Sequence, residues 1–191
     1  MYKKIITLLV FCFLLNAKNF AQTCSLPGMT PGNAIPVCGI SVFHQNVVVN
    51  CTGTSVAQTG CSIGATSSSS FWYKFTCFQT GTLGFLISGI DSTDDYDWVL
   101  FDITGHNPND VFSNNTLAIS INLYGAGSGP ANYPESPTGC RPGATGNVHC
   151  EGSENGNTPF NAMPNITIGH DYLLMVTNWT QSTTGYDLNF T

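Results

Sequence analysis

Two stretches of this chain are apolar at every position: Trp98-Val99-Leu100-Phe101 and Tyr172-Leu173-Leu174-Met175-Val176. Each is too short for a helix and rich in β-branched or aromatic residues, which marks a strand. A strand with one face in water alternates apolar and polar residues. Other segments of the chain do alternate. Leu83, Phe85 and Ile87 share one face of their segment, as do Leu117, Ile119, Ile121 and Leu123, and then Tyr186, Leu188 and Phe190. The two uninterrupted runs must therefore be covered on both faces. The segment 124–158, rich in Gly, Pro, Ser and Asn, is the expected cover, with a neighbouring domain as the alternative.

The remaining segments point the same way. Phe71-Trp72-Tyr73-Lys74-Phe75-Thr76 is aromatic and β-favouring, and Val42 to Val49 has strand composition. Thr52 to Ser70 is a Gly/Ser/Thr loop ending in four serines. No segment carries a sustained helical period with caps. Short strands joined by turns predict an all-β chain, an antiparallel jelly-roll-like β-sandwich.

The order along the chain is a leader, an arm and the sandwich. Lys3 and Lys4 followed by the apolar Ile5–Leu15 and by Asn19-Phe20-Ala21 read as a signal peptide over 1–21, too short to span a membrane. Residues 22–60 form an arm punctuated by Pro27, Pro31 and Pro36 and carrying the first strand. Residues 61–191 form the sandwich.

Charge excludes one class of partner. Beyond the leader only Lys74 and Arg141 stand against eleven carboxylates, a formal charge of −9. Such a chain offers no basic patch to nucleic acid or an anionic membrane, and suits cations better. Seven cysteines also remain: Cys24, Cys38, Cys51, Cys61, Cys77, Cys140 and Cys150. In an exported chain they read as disulfides. Close pairs such as Cys24/Cys38, Cys51/Cys61 and Cys140/Cys150 would staple loops, and with at most three bridges one thiol is left spare or pairs elsewhere. A metal site of Cys140, His149 and Cys150 is the competing reading.

Candidate chemistry gathers at Asp91-Ser92-Thr93-Asp94-Asp95-Tyr96-Asp97, which runs into the first apolar run. Asp102 and Asp110 follow at that run's far end. Asp91, Asp94, Asp95, Asp97, Asp102 and Asp110 are candidate calcium ligands, since calcium takes oxygen donors and accepts carbonyls and water to complete a set. The alternative is a solvated acidic turn. Gly60-Cys61-Ser62-Ile63-Gly64 matches the nucleophile-elbow pattern, but an elbow needs a strand before the serine and a helix after it. The four histidines form no H-x-x-x-H pair. His170 reads as a turn residue bonded to backbone. Trp72 and Trp98 fall in strands and read as core, while Trp179 falls in a loop and is the candidate for ligand contact.

Further motifs carry a resemblance. They are Phe71-Trp72-Tyr73-Lys74-Phe75-Thr76-Cys77, Gly81-Thr82-Leu83-Gly84-Phe85, Asp94-Asp95-Tyr96-Asp97-Trp98, Phe101-Asp102-Ile103-Thr104-Gly105, Asn107-Pro108-Asn109-Asp110-Val111, Gly169-His170-Asp171-Tyr172-Leu173-Leu174-Met175 and Gly185-Tyr186-Asp187-Leu188. Together they resemble an N-terminal module of exported Bacteroidota surface proteins associated with gliding motility and type IX secretion. The strand order is similar to pre-peptidase C-terminal domains and, more distantly, to CUB domains, some of which hold calcium at an acidic strand end. The resemblance implies a secreted or cell-surface, non-enzymatic binding or adhesion module. It implies a surface polysaccharide or protein as ligand and neighbouring domains in a larger surface protein. An accessory domain of a secreted protease or other hydrolase, and a structural spacer, are the alternatives. A chain that stops at Thr191 without a sorting domain is expected to be a fragment or a small stand-alone version.

Overall fold

The computed structural model describes residues 24–38, 42–125, 136–151 and 157–190, so the leader reading for 1–21 lies outside them. Among the described residues, thirteen strands, β1 to β13 along the chain, form two main sheets. The first runs β1 (Ile35–Pro36), β3 (Ser70–Thr76), β12 (Asp171–Asn178), β6 (Tyr96–Asp102), β7 (Ala118–Asn122) and β9 (Val148–His149). The second runs β10 (Phe160–Asn161), β8 (Thr138–Cys140), β5 (Phe85–Gly89), β13 (Thr184–Phe190) and β2 (Val42–Val47). A two-stranded piece joins β11 (Asn165–Ile166) to β4 (Gly81–Thr82). The fold is the expected all-β sandwich, and its helical content among these residues is two 3₁₀ turns, Pro31–Asn33 and Pro108–Phe112. The long strands pair antiparallel. Three two-residue strands pair parallel, a detail that turn-by-turn reading does not reach: β1 on β3, β9 on β7 and β10 on β8.

The uninterrupted apolar runs are β6 and β12, adjacent in the middle of the first sheet. Alternate residues serve two cores, because successive side chains point to opposite faces. Trp98 and Leu100, with Tyr172, Leu174 and Val176, face the second sheet and pack on Phe85, Ile87, Tyr186 and Leu188. Val99 and Phe101, with Leu173 and Met175, face the other way, with Trp72 and Ile121. Tyrosines in the inner core satisfy their hydroxyls: Tyr73 and Tyr186 bond each other at 2.9 Å, and Tyr96 donates to the Thr184 carbonyl at 2.9 Å. Burial pushes the Tyr73 hydroxyl up to about 12, so it stays neutral.

Among the described residues the outer face is covered by a different segment from the one expected. The described parts of 124–158 contribute β8 to the second sheet and β9 to the first. The cover is instead the Gly/Ser/Thr loop, through Val56 and Ala65, together with Ala34, Val111 and Phe112. Ala57 N–H donates to the Val111 carbonyl at 2.8 Å and Val56 N–H to the Ala65 carbonyl at 3.0 Å. The serine run explains how a polar loop holds this shape. Ser67, Ser68 and Ser69 accept with their hydroxyls from the backbone N–H groups of Thr54, Gly53 and Cys51. Each hydroxyl stands in for the carbonyl a regular strand pair would offer. At Gly53 the chains run so close that a Cβ would lie 2.0 Å from the Ser68 nitrogen.

The cysteine pairing corrects the close-pair expectation. The bridges are Cys24–Cys51 and Cys61–Cys150, spanning 27 and 89 residues. Cys140 cannot meet Cys150, because it lies on β8 with its side chain in the inner core, while Cys150 follows β9 of the other sheet. Cys24 meets Cys51 because the arm folds back on β3, where Trp72 N–H donates to the Gly28 carbonyl at 2.7 Å. Three described cysteines are free, not one: Cys38 is exposed, Cys77 and Cys140 buried. Burial pushes the Cys140 thiol up to about 12. Thiol titration of the denatured, unreduced protein should therefore find about three free thiols among the described cysteines. In the native protein only Cys38 should react quickly. A count of one would mean that two of the three are joined.

Candidate functional site

β6 begins where the acidic turn ends, and the turn is organised by its own side chains. Asp91 is exposed and accepts from Thr93 N–H at 3.0 Å and Thr93 Oγ1 at 2.8 Å, and these bonds hold its carboxyl below the usual range. Asp94 is buried, 2% exposed, and accepts from the hydroxyls of Ser182 and Thr184. That fastens the turn to the β12–β13 connection at Ser182 and to the start of β13 at Thr184. Asp95 and Asp97 are buried too, at 6% and 5% exposed. They lie two residues apart on an extended chain, on the same face as Val99, and so share one side of the strand. Gly125 passes directly over Asp95, since a Cβ there would lie 2.4 Å from Oδ2. The two basic residues beyond the leader are used elsewhere: Lys74 stands on β3 opposite Leu173, and the Arg141 guanidinium lies 3.8 Å from the Phe160 ring centroid.

Trp179, read from the sequence as a separate candidate, belongs to the same end. Its N–H donates to the Asp95 carbonyl at 2.9 Å, and Asp95 N–H donates to Thr180 Oγ1 at 2.8 Å. Its side chain is left outward, 56% exposed. A rigidly held backbone with a free aromatic ring is a contact surface at low entropic cost.

The other two aspartates are not part of this end. Asp102 closes β6 at the opposite end of the strand, bonded to Thr104 Oγ1 at 2.6 Å and to His170 Nδ1 at 2.7 Å. Burial raises its pKa, but the Thr104 and His170 hydrogen bonds outweigh this and bring it below the usual range. His170 thus bonds a carboxylate with its ring, where a backbone partner was expected. Asp110 caps the 3₁₀ turn, accepting from Asn107 N–H at 3.1 Å, with His106 at 3.5 Å. The six carboxylates therefore divide between the two ends of β6. Among the described residues, three metal-type donor atoms converge within 4.8 Å of one another at Cys61, Cys150 and Glu151, and the first two are bonded to each other. This also removes Cys150 from the competing metal reading with Cys140 and His149. Ser62 sits in a loop and donates to Glu151 Oε1 at 3.3 Å, with no strand before it or helix after it.

A further feature was not legible in the sequence. A cleft of about 240 Å³ opens on the outer face of the first sheet, under the Cys24–Cys51 bridge. Trp72 lines it, and among the described residues its Nε1–H meets no acceptor although the side chain is fully buried. An unmet buried donor costs about 1–3 kcal/mol. Sequence reasoning had assigned Trp72 to the core, and so it is, stacked on Phe101 at 6.1 Å between centroids.

No protein-family model matches this chain, and no curated protein matches it. Among solved structures it is similar to CorA, described as a surface-associated copper-binding protein important in Methylomicrobium album BG8 copper acquisition. The two are 10% identical, the alignment covers 83% of this chain and 96% of the other, and the TM-score is 0.42. At that distance the likeness assigns no ligand to this chain.

Proposed function

We propose that this chain is a non-enzymatic binding module of the cell exterior, whose ligand meets the end of the sandwich that carries Trp179 and the acidic turn. The two disulfides suit an oxidising compartment outside the cytoplasm. Among the described residues no helix is long and apolar enough to cross a membrane. The observation that carries the reading is Trp179 itself: the backbone is pinned to Asp95 while the ring is left in solvent. Exposed aromatic anchors dominate many binding interfaces. A surface polysaccharide or surface protein is the ligand class. Binding to arrayed glycans and to purified surface polymers should be lost by about tenfold or more in Trp179→Ala, with the melting curve unchanged. Full binding by that variant would move the interface elsewhere. No binding by the parent chain to any surface polymer would leave a spacer.

Calcium belongs to the same proposal. Asp95 and Asp97 would supply carboxylate oxygen from one face of β6, and backbone carbonyls and water the remainder of the about six to eight donors calcium takes. Low-millimolar calcium should then raise the melting temperature by a few degrees and chelator lower it again. Asp97→Asn should remove most of that response. Superimposable melting curves with calcium and with chelator would take calcium out of the reading.

A further inference from the structure

We propose that the Cys61–Cys150 disulfide, once reduced, becomes a metal site in which both sulfurs and the Glu151 carboxylate hold a zinc-type divalent cation. The three residues already stand together. One ligand atom from each lies within 4.8 Å of the other two, and all three side chains are half-buried, within reach of solvent. Reduction takes two electrons and two protons from a dithiol, which leaves as a disulfide, and gives two thiols. The cation then displaces both protons and the thiolates bind it.

The geometry suits that exchange. Two thiolates on a tetrahedral zinc stand about 3.8 Å apart, given bonds of about 2.3 Å. That is van der Waals contact for two sulfurs, the separation an opened bridge relaxes to when its anchors stay in place. The Cα atoms of Cys61 and Cys150 are 5.3 Å apart. Ser62 Oγ and Ile63 N–H, next to Cys61, both donate at 3.3 Å to Oε1 of Glu151, next to Cys150. These bonds tie the two segments without the bridge. They also divide the carboxylate: Oε1 positions it, while Oε2 has no hydrogen-bond partner among the described residues and is left for the cation. Cys140 stays in the inner core. His149 has both ring nitrogens engaged, by the Thr145 carbonyl at 3.0 Å and the Thr158 N–H at 3.3 Å. The fourth position falls to water or to the Gly60 carbonyl, 3.3 Å from the Cys150 sulfur. Two thiolates and a carboxylate gather three negative charges, and Lys74 and Arg141 are placed elsewhere. A divalent cation offsets them, and mixed sulfur and oxygen donors suit zinc rather than calcium or magnesium. The oxidised chain is thus crosslinked by sulfur, and the reduced chain by metal, at the same point on the cover of the first sheet.

The test is independent of Trp179 and the acidic turn. The chain is reduced with a dithiol, freed of it without air, and titrated with cobalt(II), whose bonds to thiolate absorb in the near ultraviolet. The reduced parent should develop that band saturably and the oxidised chain should not. Zinc should abolish the band by displacement, and calcium should not. Cys24→Ser/Cys51→Ser, which removes the other pair of thiols, should keep it. Cys61→Ser and Cys150→Ser should each lose about half of it or more, although the reduced parent lacks the bridge as well. Glu151→Gln should reach the same band but bind about tenfold or more weakly. Zinc at about a hundredfold excess over Kd should raise the melting temperature of the reduced chain by about 5–10 °C and leave that of the oxidised chain in place. An equal band before and after reduction, or none after it, overturns the proposal. So does a band that survives intact in Cys61→Ser, one that vanishes in Cys24→Ser/Cys51→Ser, or an unchanged affinity in Glu151→Gln. A reduced chain that stays unfolded when zinc is added overturns it too.

Discussion

Replacing Cys61 and Cys150 together by serine should destabilise the fold by about 4–5 kcal/mol, the largest effect of any surface-proximal change in this protein. On the chain-entropy account, a crosslink closing an 89-residue loop restrains the unfolded chain by about 4.6 kcal/mol. The corresponding figure for Cys24–Cys51, with 27 residues, is about 3.6 kcal/mol. Loop length is not the whole reason. Cys61 anchors the segment that shields Val99, Phe101, Leu173 and Met175 from water, and it anchors it to the chain just after β9. Without the bridge the cover is held by the 57–111 backbone bond, the bonds of Ser62 and Ile63 to Glu151, the serine-hydroxyl bonds and Cys24–Cys51 bridge at its base, and apolar contact. Urea unfolding should report the loss, and the melting temperature should fall by roughly 9–18 °C. Amide exchange at Val56 and Ala65 should accelerate ahead of the inner core. A loss below about 1 kcal/mol would mean the cover docks without its tether.

Trp98→Ala should cost about 3–5 kcal/mol, as aromatic truncations in packed cores do. Trp98 is fully buried, meets Phe85 edge-on at 4.8 Å between centroids, and donates from Nε1 to Thr138 Oγ1 at 3.0 Å. That last bond crosses from β6 of the first sheet to β8 of the second. Thr138→Val tests it separately: the volume is kept, the indole loses its acceptor, and about 1–3 kcal/mol should be lost. Thr138 also donates to the Pro159 carbonyl at 2.6 Å, so part of that loss is the carbonyl's. Full stability in Thr138→Val would show that water reaches the indole, against its complete burial.

The sandwich was legible because apolar patterning is a direct record of which faces are covered. Trp98–Phe101 and Tyr172–Val176 announced two covered faces, and they are the adjacent centre strands of the first sheet. The identity of the cover was not legible. A serine-rich loop carries no periodicity, and its shape comes from side-chain hydroxyls bonding a backbone some fifteen residues away. The cysteine pairs were hidden for a related reason. Cys140 and Cys150 are near in sequence, but the chain changes sheets between them. At the acidic end, the sequence marked Asp91 to Asp97 and Trp179 separately. Their meeting depends on the β6–β12 register, which sets Tyr96 opposite Asn178. Asp102 and Asp110, already placed at the far end of the run, do stand there, Asp102 closing β6 and Asp110 in the 3₁₀ turn beyond it.

The place of β12 and β13 in the sheets has a consequence in time. Each is an interior strand. Take β12 away and the first sheet separates into β1–β3 and β6–β7–β9; take β13 away and β2 loses its pairing partner in the second. Both lie after all their partners in the chain, with Phe43 waiting for Leu188 and Trp72 for Met175. During synthesis neither sheet can close before residues 171–190 have been made. Contacts this far apart make for slow folding, on the order of milliseconds to seconds. Until then Phe71, Phe85, Trp98 and Leu100 have nothing to pack against in a finished core, and that surface invites aggregation. The strand order thus places the completion of both sheets at the end of synthesis.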